Sequence, residues 1–156
     1  MMKPTRGRDL VALAAFAAAV TWILVRSFYG SLPPVSVFAG ASLYPVAAIE
    51  LILAFVIRSR VDEHRIGADR HQLHPITAAR AVALAKASSL VGAASAGVWF
   101  GLLVYLLPER SSVDAAQQDT AGTLVGLIGG ILLVAAAMWL EHCCKTPDEP
   151  PDEPAM

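Results

Sequence analysis

Thr120-Ala-Gly-Thr-Leu-Val-Gly-Leu-Ile-Gly-Gly-Ile-Leu-Leu-Val-Ala-Ala-Ala-Met-Trp-Leu140 decides the fold: twenty-one residues without a charge. A helix of about twenty residues crosses the roughly 30 Å hydrocarbon core of a bilayer. The block is apolar all round rather than along one stripe, which suits lipid or a helix-packed interior. It does not alternate, as a membrane β-strand would. Three more blocks of similar length precede it. The first runs from Leu10 to Tyr29 and holds only Arg26, the second from Val35 to Ile57 and holds only Glu50, and the third from Ala87 to Pro108 and holds no charge. Hydrophobic residues make up 56% of the chain and charged ones 16%, against roughly 25% charged in soluble domains. A disordered chain and an ordinary soluble domain are both excluded.

These blocks predict an all-α polytopic membrane protein, a four-transmembrane-helix bundle. Its spans are expected at residues 9–29, 35–57, 81–107 and 120–141, the third helix starting near Pro75, where proline suits a first turn. Block one has the basic start of a signal peptide, but its apolar run continues past the Ala17-Ala18-Ala19 tract into Trp22, so it is read as a retained anchor. Lys3, Arg6, Arg8, Arg58, Arg60, Arg65, Arg70, Arg80 and Lys145 fall on one side of the spans, and Arg26 and Arg110 on the other. The positive-inside rule then puts both termini in the cytoplasm of a plasma-membrane protein. Residues 1–8 and the loop 58–80 are expected to be cytoplasmic. Residues 145–156, with repeated Asp-Glu-Pro, form an acidic Pro-rich tail expected to be disordered.

Within the spans, Glu50 and Lys86 stand out. Measured from Arg58 and Arg80, they lie about 12 Å and 9 Å inside the same edge. A possible intramembrane ion pair is therefore expected, either structural or part of a polar path for a carrier. Small residues mark packing faces: Ser89, Ala93, Gly97 and Gly101 on the third helix, and Gly122, Gly126 and Gly130 on the fourth. They let backbones approach closely, within one bundle or against a partner helix or second copy. Pro45 is expected to kink the second span.

His71, His74, Cys143 and Cys144 are weak candidates for a metal or redox sensor on the cytoplasmic face. The adjacent cysteines lack the spacer of a zinc knuckle, and no metal is favoured. No cofactor is expected. A net charge of −1 offers no basic face for nucleic acid. No nucleophile elbow, P-loop or HExxH motif is present, so no catalytic residue is assigned.

Two stretches carry a resemblance. One is Ala83-Leu-Ala-Lys-Ala-Ser-Ser-Leu-Val-Gly92, continuing through Gly97-Val-Trp-Phe-Gly101 to Pro108. The other is Trp139-Leu-Glu-His-Cys-Cys-Lys-Thr-Pro147. With the basic N-terminus and the Leu-Pro-Pro hairpin, they resemble an actinobacterial family of small four-helix integral membrane proteins of unknown function, often encoded beside folate-pathway genes. The resemblance implies a multi-pass plasma-membrane protein and carries over no site residue. The expected partners are the lipid bilayer and another membrane protein or a second copy. The leading expectation is a non-catalytic accessory or assembly protein that binds through its Gly/Ala faces. The alternatives are a small carrier subunit using Glu50 and Lys86, and the metal or redox sensor.

Overall fold

The computed structural model describes residues 5–31, 33–63, 75–109, 111 and 114–144. Among these residues all regular structure is helical. Helix α1 spans Gly7–Phe28 and passes into a 3-10 turn, Tyr29–Ser31. Asp9 in its first turn and Arg26 in its last complement the helix dipole. The Pro33-Pro34 pair that follows cannot continue it. Helices α2 (Phe38–Ala41), α3 (Leu43–Glu63), α4 (Pro75–Glu109) and α5 (Asp114–Cys143) complete the chain.

The second apolar block, expected as one kinked span, is broken at Ser42 into α2 and α3. Pro45 explains the break: it has no N–H for the carbonyl of Ala41, and its ring crowds that carbonyl. Four segments are long and apolar enough to cross a membrane: Gly7–Ser31, Phe38–Ser59, Ala79–Glu109 and Ala116–Cys143.

Helix α1 packs along α4, α4 along α5, and α5 along α3, with α2 also on α5. Helices α1 and α3 share no extensive contact among the described residues. Helix α5 is central: 44% of its apolar span is buried, against 11% for α1. Small residues make each seam. A Cβ on Gly97 or Gly101 would strike the backbone of Ala14 or Ala18 on α1. One on Gly130 would stand 2.8 Å from the backbone nitrogen of Ala96. Gly126 lies beneath the Trp99 ring and against Gly40, while Gly122 abuts the carbonyls of Val35 and Ser36. These glycines thus serve contacts within one chain, where sequence had left a partner face open.

Candidate functional site

Among the described side chains of α3 the buried ones are Ala47, Glu50, Ala54 and Ile57. Their spacing of three and four residues is that of a single helix stripe. Ala47 packs with Leu133 and Ala136 of α5. Ala54 and Ile57, a turn or two further on, pack with Leu140 of α5 and Ala85 of α4. Glu50 is held between these two contacts and is 1% exposed. Both of its carboxylate oxygens are buried without a hydrogen-bond partner. Such a group costs several times what an exposed one does, because water is removed and nothing replaces it.

Ser88 and Ser89 of α4 are buried, at 7% and 1% exposure. The Ser89 hydroxyl donates to the Lys86 carbonyl at 2.9 Å. Ser88 is the polar side chain that bears on Glu50, without a hydrogen bond to it. Lys86 is half-buried and makes no hydrogen bond to Glu50. The expected ion pair is therefore not formed as a hydrogen-bonded contact. Helices α3 and α4 both pack mainly on α5, and Lys86 lies about 100° round α4 from Ala85, which shares a buried cluster with Ala54 and Ile57 of α3.

Two further buried acids were not singled out from sequence. Asp119, 6% exposed, accepts from the Tyr29 hydroxyl and from the Val35 N–H, each at 2.9 Å. Thr123 donates to the Asp119 carbonyl at 2.8 Å, and the Tyr29 and Tyr105 rings meet at a tilt of 53° with centroids 5.1 Å apart. This cluster clasps the α1–α2 connection to the start of α5. At the other end Glu141, 7% exposed, accepts from the Thr5 N–H at 2.9 Å. A signal was available in sequence: Asp119 and Glu141 directly flank the uncharged block.

Arg26 stacks over Trp22 at 5.3 Å and Arg58 over Trp139 at 5.6 Å, placing cation and indole together as interfacial anchors do. An open groove of 220 Å³ runs along the α1–α4 seam, lined by Ala18, Ala19, Trp22, Phe100, Gly101 and Val104. Of the metal candidates, His71 and His74 lie outside the described residues. Cys143 and Cys144 are not joined in a disulfide and are half-buried at the end of α5. Burial and the neighbouring Cys143 push the Cys144 thiol above its ordinary range. Among the described residues, no group of three or more His, Cys, Asp or Glu side chains is gathered as a metal would need.

Residues 10–148, most of the chain, match the model of a family described as Protein of unknown function (DUF3180), and the chain belongs to that family. No curated protein and no solved structure matches it.

Proposed function

We propose that this family member is a multi-pass plasma-membrane protein with both termini and the α3–α4 connection in the cytoplasm. Its role is that of a non-catalytic accessory protein that seats a helix of another membrane protein. The asymmetry of Lys and Arg supports the orientation. The grouping of helix ends, with Thr5 tied to Glu141 at one end and Val35 to Asp119 at the other, supports both termini lying on one side.

The observation that carries the partner reading is the α1–α4 groove. Its floor of Ala18, Ala19 and Gly101 lies beside Trp22 and Phe100. Small residues beside large apolar ones allow a second helix to approach closely where lipid offers no competing hydrophobic gain. The glycine faces first expected to do this already meet other parts of the same chain, and of these glycines Gly101 also lines the groove. A photo-crosslinking residue at Phe100, in native membranes, tests the reading. A discrete adduct with another membrane protein is expected, and Ala19→Trp, at an exposed position, should abolish it by filling the groove. Adducts with lipid alone, with a second copy alone, or indifferent to Ala19→Trp would refute it.

Glu50 favours a second reading, a small carrier subunit with Glu50 and Lys86 along a polar path. Reconstituted vesicles decide this one: absence of a Glu50-dependent proton flux removes it.

A further inference from the structure

We propose that the Glu50 carboxyl is a proton-binding site inside the helical domain, beside the buried hydroxyl of Ser88. The inference rests on the membrane-spanning reading of the four helices and on neither the partner nor the carrier role.

The comparison among buried acids leads to it. Asp119 has two donors and Glu141 has the Thr5 N–H. Glu50 is the most deeply buried of the three, at 1% exposure, and neither of its oxygens has a donor. Its place in the α3 packing stripe leaves it no route to snorkel, because Ala47 and Ala54 hold that stripe against α5 and α4 on either side. A buried carboxylate without a protein donor is stabilised by a bound cation. Space and ligands select which one. The side chains packed a turn away are Ala47, Ala54, Leu133, Ala136 and Leu140, all apolar. The hydroxyls at hand are Ser88 and Ser89, and Ser89 is already directed at the Lys86 carbonyl. An alkali ion needs a shell of several oxygens that this junction does not provide. A proton needs none.

Apolar packing encloses the carboxyl along the helix axes, with Leu43, Ala47, Leu133 and Ala136 toward the α2 end and Ala54, Ile57, Ala85 and Leu140 toward the Arg58 end. The charged and titratable groups that follow toward the Arg58 end are Lys86 on α4, Glu141, His142, Cys143 and Cys144 on α5, and Arg58 on α3, and none makes a hydrogen bond to Glu50.

The test uses the full chain in phospholipid vesicles and dicyclohexylcarbodiimide, an apolar reagent that adds to a protonated carboxyl, with peptide mapping by mass spectrometry. The expected result is an adduct at Glu50 that falls severalfold from mildly acidic to mildly alkaline buffer. Excess sodium should leave it unchanged, and it should be absent in Glu50→Gln. No adduct in acidic buffer overturns the proposal, as does an adduct indifferent to pH. Suppression by sodium overturns it in favour of an alkali-ion site. Should Glu50→Gln fail to fold, the pH profile of the unaltered protein decides alone, since the mapped peptide identifies the residue.

Discussion

Adding one methyl group at Gly97 should separate α1 from α4. A Cβ there would overlap the Ala14 carbonyl oxygen and stand 2.9 Å from the Ala14 carbonyl carbon and Cα. Comfortable carbon contacts are about 3.5–4.0 Å, so α1 must retreat by roughly 1 Å at this point. Backbone cannot rotate aside as a side chain can. The retreat also loosens the next contact, Gly101 on Ala18. Overpacking costs about 1–3 kcal/mol, and the rigid backbone contact puts Gly97→Ala near the upper figure. Alanine's better helix propensity returns up to about 1 kcal/mol, leaving a net loss of about 2 kcal/mol. Gly30→Ala is the control. Nothing lies within 4 Å of a Cβ at Gly30, and the change should be neutral or stabilise by about 0.4–1 kcal/mol through the unfolded chain. The same chemical change at two glycines should therefore differ by about 2–3 kcal/mol. Unfolding in mixed micelles by titrated dodecyl sulfate, followed by circular dichroism, measures both. If the two variants agree within about 0.5 kcal/mol, the close α1–α4 seam is wrong.

Three other outcomes are expected. Tyr29→Phe should destabilise by about 1.5–3 kcal/mol, the range for a hydrogen bond to a charged group. Asp119→Ala should cost more because it also strands the Val35 N–H, and equal losses in the same titration would argue against a shared clasp. Cysteine introduced at Ser111 should react with a membrane-impermeant maleimide from outside the cell, and at Thr146 only after the membrane is opened; the reverse pattern inverts the orientation. Cys144, its thiol raised by burial and by Cys143, should alkylate slowly at neutral pH. Only the thiolate reacts, and raising its pKa lowers the thiolate fraction at any pH below it. The rate should climb about tenfold per pH unit through the alkaline range, and levelling off already near the ordinary thiol pKa of about 8.5 would show an unshifted thiol.

The sequence alone was sufficient for the helical class and for the four long apolar segments, because length and lack of charge are local properties that a bilayer reads directly. It also picked out Glu50 as the acid of the second block, and the glycines as packing residues. It could not say which helix each glycine meets. Gly97 and Gly101 face α1, while Gly126 and Gly130 face α4, a choice made by the order in which helices pack and not by their spacing. Nor could the sequence say that Glu50 would lie buried without a hydrogen bond from Lys86. Depth along a helix follows from counting residues at about 1.5 Å each, whereas direction round the helix matters only once a neighbour is in place. Asp119 shows the converse. In sequence it is one acid at the edge of a loop, and only the return of the α1–α2 connection to α5, about ninety residues away in the chain, brings Tyr29 and Val35 to its two oxygens. Contacts between residues so distant in sequence are set by packing of whole helices, and that information resides in the tertiary structure.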